Sequence, residues 1–318
     1  HPRLGDADVI SPGFSVAALY QFTPFPDPEA LREPLLAACE ESGIKGTLLL
    51  AREGINGTIA GTDNAMAAVL DTIRALPGCG NLEVKFSEAP AMPFGRLKVR
   101  VKREIVTMGE PDIDPTLSAG HYVDPHDWNA LIADPDTLVI DTRNDYEVAI
   151  GTFAGALDPA TPSFRDFPAW FRANRETLLA GKSRVAMFCT GGIRCEKAGP
   201  FMELEGFRNI YQLDGGILKY FEECGGDHYD GECFVFDQRV GVDPALHETD
   251  TAVCYACQAP LSAEDQEDVR YVAGKTCPYC FKPEPEKMAE RIAAAQAKLD
   301  AVCEVLPGSF PQENRRPV

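Results

Sequence analysis

Cations are scarce in this chain of 318 residues: 30 Lys and Arg stand against 49 Asp and Glu, for a formal net charge of −19. That balance excludes indiscriminate attachment to nucleic acid or to an anionic membrane surface. Long apolar runs are missing too. No stretch reaches the 18 residues that a spanning helix needs, and no basic, apolar leader opens the sequence. The start, His1-Pro2-Arg3-Leu4-Gly5-Asp6, lacks an initiating methionine, reads as processed or added sequence, and is set aside. There is no Gly-x-Gly-x-x-Gly fingerprint and no two-histidine, one-carboxylate set, so no flavin or iron motif is legible.

Cysteine, by contrast, is plentiful, with eleven residues. Their grouping into Cys-x-x-Cys pairs and a glycine-rich loop points to metal and thiol chemistry in a reducing, cytoplasmic setting rather than to disulfides. The length allows two or three domains, each with a core. Charge is unevenly spread among them. Residues 1–110 carry eleven cations against fourteen carboxylates, residues 111–230 ten against twenty, and residues 231–318 nine against fifteen.

The most informative stretch is Phe188-Cys189-Thr190-Gly191-Gly192-Ile193-Arg194-Cys195-Glu196-Lys197. An apolar run, Ser183 to Phe188, predicts a buried strand before it, and a helical pattern starts near Cys195 and runs to about Glu205. In such a strand–turn–helix the amides of Thr190, Gly191, Gly192 and Ile193 form a cradle around Cys189. The helix start and Arg194 add positive charge, and all of this favours the thiolate. Cys189 is therefore the expected nucleophile, with Arg194 beside it. Cys195 is either a candidate resolving thiol or a small buried helix residue. Upstream, Thr137-Leu138-Val139-Ile140-Asp141-Thr142-Arg143 predicts a second buried parallel strand ending in a charged turn, where Asp141 and Arg143 are expected as an internal ion pair that pins neighbouring loops, a direct catalytic role being the other reading.

Residues 14–110 predict an α+β domain. Strands at 14–22, Lys45–Ala51, Thr58–Gly61 and Leu82–Phe86 alternate with helices from Asp27 or Pro28 to Ser42 and from Asp63, as cap, to Leu76. Gly54-Ile55-Asn56-Gly57 is read as the turn before the third strand. The order β-α-β-β-α-β is ferredoxin-like. Arg96, Lys98, Arg100 and Lys102 then alternate with Leu97, Val99 and Val101, which puts four cations on one strand face. A polyanion such as RNA would draw on that row; an edge strand guarding against aggregation is the other reading.

Near the carboxyl end, Cys254-x-x-Cys257 and Cys277-x-x-Cys280 are spaced for two knuckles sharing one tetrahedral zinc. Four thiolates fill the shell, so that zinc is structural; redox-active dithiols are the alternative. His247 reads as a surface residue. An alanine-rich helix is expected from Glu284 to about Val305, and residues 306–318 as a disordered tail. The predicted organisation is multidomain: 14–110 ferredoxin-like, 120–228 α/β, and 229–305 a cysteine-rich module with its helix.

Four residues separate Cys189 from Arg194. In that, and in Asp141-x-Arg143 and Gln212-Leu213-Asp214-Gly215-Gly216-Ile217, the central region resembles the rhodanese superfamily. The related cysteine phosphatases leave one residue more, in a wider ring for phosphate, so phosphatase activity is disfavoured. With Ala51-Arg52-Glu53-Gly54-Ile55-Asn56-Gly57-Thr58 and the segment from Leu97 to Gly109 added, the chain resembles the bacterial rhodanese-domain tRNA uridine hydroxylases from about Val16 to Cys280. The resemblance implies oxidation of the wobble uridine to 5-hydroxyuridine with dioxygen and an external reductant. It implies tRNA as partner, and it puts the family's functional cysteine at Cys189. The chemical state of that sulfur stays open between thiolate, persulfide and an oxidised form. The alternatives are a persulfide sulfurtransferase feeding another pathway, for which a sulfur- or electron-donor protein is a candidate partner, and a non-catalytic zinc and RNA scaffold. Oligomeric state is not legible.

Overall fold

The computed structural model describes residues 13–110, 112–117 and 120–305. The expected disordered tail, 306–318, lies outside the described residues. The chain divides into two compact units, His1–Val253 and Cys254–Val318.

The first unit opens with β1 (Phe14–Phe22), α1 (Pro28–Glu41), β2 (Lys45–Ala51), β3 (Gly54–Gly61), α2 (Asp63–Arg74), β4 (Glu83–Ala89) and β5 (Leu97–Val101). The strand order is β4-β1-β3-β2-β5. The first four are the antiparallel ferredoxin-like arrangement, and β5 adds a parallel edge strand against β2. Residues of alternate parity divide the sheet. Ala17, Leu19, Leu48, Leu50, Ile55, Ile59 and Val99 pack with Leu35, Cys39, Met66, Leu70 and Ile73 of the two helices. The opposite parity is left to face another partner.

Two local expectations are corrected here. The strand β3 starts at Gly54, not Thr58, because Gly54 to Gly57 pair in register with Phe22 to Leu19. Glycine is required there: a Cβ on Gly54, whose φ is +140°, would stand 2.0 Å from the Gln21 carbonyl oxygen. The α2 cap is Thr62, whose hydroxyl accepts from the Ala65 N–H at 3.4 Å, so Asp63 is the first helical residue.

The central region contains β6 (His121–Val123), α3 (Pro125–Ala133), β7 (Thr137–Asp141), α4 (Asp145–Val148), β8 (Gly151–Phe153), α5 (Phe167–Leu179), β9 (Arg184–Phe188), α6 (Ile193–Leu204), β10 (Ile210–Leu213) and α7 (Gly216–Cys224). Its parallel sheet runs β6-β10-β9-β7, with Asp141 paired to Phe188 where β7 and β9 end. One face packs on Trp128, Phe153, Ile217, Tyr220 and Phe221, the other on Phe167, Phe171, Phe201 and Met202. This is the α/β layering expected of a rhodanese domain, and it puts the functional loop beyond the carboxyl ends of the strands.

Residues 229–253, grouped by sequence with the cysteine-rich module, pack on the rhodanese core instead. The strand β11 (Tyr229–Gly231) pairs with β8, and β12 (Cys233–Phe234) with β13 (Gly241–Val242). Tyr229, Cys233, Val235 and Val242 are buried in that core. Their apolar side chains are too few to form a core of their own, so they borrow one.

In the second unit Cys254, Cys257, Cys277 and Cys280 come together, followed by α8 (Ala263–Glu267) between the pairs and the expected helix α9 (Glu284–Val305) after them. Among the described residues, no helix is long and apolar enough to cross a membrane.

Candidate active site

Cys189 sits on the crest of β9 with its side chain 1% exposed. The Gly192 N–H donates to its Sγ at 3.1 Å. Gly192 reaches that position in the left-handed region, at φ +99°, which starts α6 two residues earlier than the sequence suggested, at Ile193. Behind the loop, the Ile217 and Leu218 N–H groups of α7 donate to the Cys189 and Thr190 carbonyls at 3.0 Å each. Only glycine fits at 216, since a Cβ would stand 2.5 Å from the Cys189 carbonyl oxygen. The Asp214-Gly215-Gly216 turn thus buttresses the loop from below.

Burial alone would push the Cys189 thiol up. It is outweighed by a hydrogen bond from the Cys195 side chain, the Arg194 charge and the Arg194 and Gly192 N–H groups, and the result is a thiol brought down to about 6. Cys195 moves the other way: burial, the bond to Cys189 and the charge there hold it well above the ordinary thiol range. It lies in the first turn of α6, with its Sγ 3.7 Å from the Thr142 hydroxyl. The pair is one thiolate and one S–H donor.

Arg194 does not point freely into the cradle. Its guanidinium donates to both oxygens of Glu147, at 3.1 and 2.8 Å, and Glu147 also accepts from the Thr190 hydroxyl at 3.3 Å. Glu147 is fully buried and was missed as a site residue in the sequence. The signal was present: a carboxylate one helical turn past Asp141-x-Arg143, which needs a buried cation. Asp141 and Arg143 do form the internal pair, at 2.7 Å with both side chains fully buried, and Thr152 adds a hydroxyl to Asp141 at 2.8 Å.

Sequence reasoning also missed how the two domains of this unit meet. Lys197 of α6, 2% exposed, pairs with Glu53 at 2.9 Å and Glu104 at 2.6 Å, and donates to the Val106 carbonyl. Glu53 accepts from the Ile105 N–H at 2.6 Å, and Glu104 from the Met108 N–H at 3.0 Å. Arg239, held by Asp237 at 2.6 Å, reaches back to the Ser87 hydroxyl at 2.9 Å.

These contacts close a cavity of about 390 Å³. Cys189, Thr190, Gly191, Ile193 and Arg194 line one side; Tyr20, Thr47, Leu49, Asn56, Thr58 and Lys85, from the helix-free sheet face, line the other. Phe94 and Phe236 contribute aromatic walls. Lys98 pairs in register with Thr47 and Arg100 with Leu49, so the cationic row of β5 lies on this same sheet face. Arg96, Arg100 and Lys102 are exposed, and Lys98 is half-buried.

The four distal cysteines lie with every Sγ within 4.8 Å of the others. Sulfur–sulfur separations of 3.8, 3.6 and 3.7 Å match the edge of a tetrahedron with zinc–sulfur bonds of about 2.3 Å, roughly 3.8 Å, and far exceed a disulfide bond. The donor set can hold a metal ion such as zinc.

Two family models match the chain: UPF0176 acylphosphatase like domain over residues 14–105 and Rhodanese-like domain over residues 124–223. A tRNA uridine(34) hydroxylase of Gluconobacter oxydans is 58% identical over 291 residues, covering 90% of this chain and 93% of that protein. The chain belongs to the tRNA uridine(34) hydroxylase family. Proteins of the same name from Mesorhizobium japonicum and Caulobacter vibrioides are 56% and 54% identical, covering 90% and 92% of this chain and 92% and 95% of theirs. Family membership accounts for segments that a bare rhodanese domain leaves unexplained: Glu53 and Glu104, in the two signature stretches, both hold Lys197 beside the active loop.

Proposed function

We propose that this protein oxidises the wobble uridine of tRNA to 5-hydroxyuridine in the cytoplasm, and that Cys189 is its nucleophile. One observation carries the reading: the thiolate opens into the same cavity whose far wall is the sheet face bearing the cationic row. One extruded nucleotide fits a space of about 390 Å³, stacked against aromatic walls as single-stranded RNA bases commonly are. Arg96, Lys98, Arg100 and Lys102 would meet the flanking phosphates.

The thiolate adds to C6 of the uracil, which raises electron density at C5. One atom of dioxygen ends in the new C5–OH and the other in water, with an external reductant or an electron-donor protein supplying the electron pair. The loop amides and Arg194 keep the sulfur ionised for attack and stabilise it as the leaving group. The rhodanese loop alone would equally suit persulfide transfer; family membership and the two-domain cavity favour hydroxylation. Cys254, Cys257, Cys277 and Cys280 would hold one zinc, which ties together a module with little apolar core. We assign the domains as 14–110, 120–228 and the cysteine-rich remainder, with 229–253 supporting the second.

The test is mass spectrometry of tRNA nucleosides from a strain lacking its own tRNA uridine hydroxylases and expressing this chain. Restored 5-hydroxyuridine at the wobble position supports the reading; unmodified uridine with the protein present and folded refutes it.

A further inference from the structure

Tyr20 belongs to two cavities at once. It lines the Cys189 cavity, and it borders a second cavity of about 460 Å³ shared with Glu83, Tyr122, Glu196 and Asp214. A Cβ on Gly192 would stand 3.0 Å from the Tyr20 hydroxyl oxygen, so that hydroxyl lies against the loop that carries Cys189. It donates to Glu196 Oε1 at 3.0 Å, a buried bond between strand β1 and helix α6. From the other side the Tyr122 hydroxyl donates to Glu196 Oε2 at 2.7 Å, and the Gln212 side chain bonds the same carboxyl. Lys85 lies 4.8 Å from the Tyr20 ring centroid and pairs with Glu83 at 3.2 Å, while Asp214 completes the charged groups facing this chain of bonds. Cradling a sulfur anion uses neither Tyr20 nor Glu196.

We propose that Tyr20 and Glu196 relay a proton between the uracil ring over Cys189 and the second cavity. The proposal rests on the nucleophilic role given to Cys189 above. When the thiolate adds to C6, the C5–C6 electron pair moves towards C5. Without an oxidant, a solvent proton adds to C5 from the open side of the cavity and leaves the original C5 hydrogen on the opposite face. That original proton passes to the Tyr20 oxygen as the tyrosine's own proton passes to the Glu196 carboxylate and on to water in the second cavity; the double bond re-forms and Cys189 leaves as thiolate. During hydroxylation the incoming oxygen takes the place of the solvent proton, and the same relay removes the original C5 proton. Burial suits both groups to the task. It pushes the Glu196 carboxyl up despite the bonds from Tyr122, Tyr20 and Gln212, and it keeps Tyr20 a neutral hydroxyl.

The relay makes a prediction that needs neither dioxygen nor reductant: the full-length protein should exchange the C5 hydrogen of the target uridine with water. The probe is tRNA carrying tritium at C5 of its uridines, incubated anaerobically, with release to water measured. The parent should release tritium from one position. Tyr20→Phe and Glu196→Gln should each release it about 100-fold more slowly, the usual scale of a lost proton-transfer group. The residual rate should rise in proportion to added imidazole buffer, while the alkylation rate of Cys189 stays parental. Variants that exchange at the parental rate overturn the relay. So do variants that lose exchange and alkylation together without buffer rescue, because that pattern marks a structural role. A parent that makes 5-hydroxyuridine in cells yet releases no tritium overturns the relay and leaves the hydroxylation standing; a parent that makes none overturns the functional reading itself.

Discussion

Replacing Cys195 with alanine should move the titration of a different cysteine. Cys195 is fully buried, burial holds its thiol well above the ordinary range, and its side chain helps to bring the Cys189 thiol down. A hydrogen bond to a charged partner is worth about 1.5–3 kcal/mol, and a thiol is a weak donor, so about 1.4 kcal/mol, or about one pKa unit, is the expected loss. The Cys189 midpoint should then rise from about 6 towards roughly 7. The assay is the rate of iodoacetamide alkylation against pH, with the labelled peptide identified by mass spectrometry. Only the thiolate reacts, so at pH 6 the parent is about half ionised and the variant about a tenth, a roughly fivefold slower reaction. By pH 8 both are mostly ionised and the rates should converge. The sign matters: the defect must shrink as pH rises. Cys195→Ser, which keeps a donor, should titrate near the parent. If Cys195→Ala keeps the parental midpoint, or is slower by one factor at every pH, the hydrogen bond contributes nothing to the thiolate.

Cys189→Ser should abolish 5-hydroxyuridine in the complemented strain while the far-ultraviolet circular dichroism stays parental; retained modification would remove the thiol from the chemistry. The second unit should carry one zinc per chain by elemental analysis. Cys277→Ser should lose it and raise protease sensitivity after Val253, whereas a metal-free protein with a disulfide between Cys254 and Cys257 would refute the metal site. Reversing Lys98 and Arg100 to glutamate should weaken tRNA binding and lower the slope of log affinity against log salt by about 2 if each meets one phosphate. Parental binding at every salt concentration would reduce the row to an edge strand's protection.

Much of the fold was legible because its signals are local. Strand patterns marked β1 and β2, strict alternation marked β5, a helical pattern from Asp27 or Pro28 marked α1, and a glycine-rich turn after an apolar run marked the Cys189 loop. What escaped depends on distant partners. Gly54 to Gly57 read as a turn because glycines signal turns, yet here they let β3 approach β1 and β2 closely. Residues 229–253 carry no periodicity that reveals whose core they join. Lys197 and Glu196 look like ordinary helix charges, and only the fold shows each one buried against a partner far away in sequence. The Cys195 thiol was visible, but its direction of action was not. A sequence cannot say that the sulfurs of two cysteines six positions apart will act on each other across a helix start.

The buried charges of α6 tie the two domains of the first unit together around the Cys189 loop. The single turn Arg194-Cys195-Glu196-Lys197 addresses four partners: Glu147 behind the loop, the Cys189 sulfur, Tyr20 of β1, and the Glu53–Glu104 pair. Two of these lie in the rhodanese domain, and two bind it to the ferredoxin-like sheet and the segment after β5. A buried cation such as Lys197 cannot be left unpaired without a cost of several kcal/mol, so the sheet is fixed in register against the loop rather than loosely tethered. That fixed register is what gives the cavity a far wall. It sets the sheet face that carries the cationic row across from the Cys189 loop, and it brings the Tyr20 hydroxyl against that loop. A rhodanese domain alone would keep its thiolate but lose the wall, the row and the Tyr20 hydroxyl, so the sheet is part of the candidate site and not merely beside it.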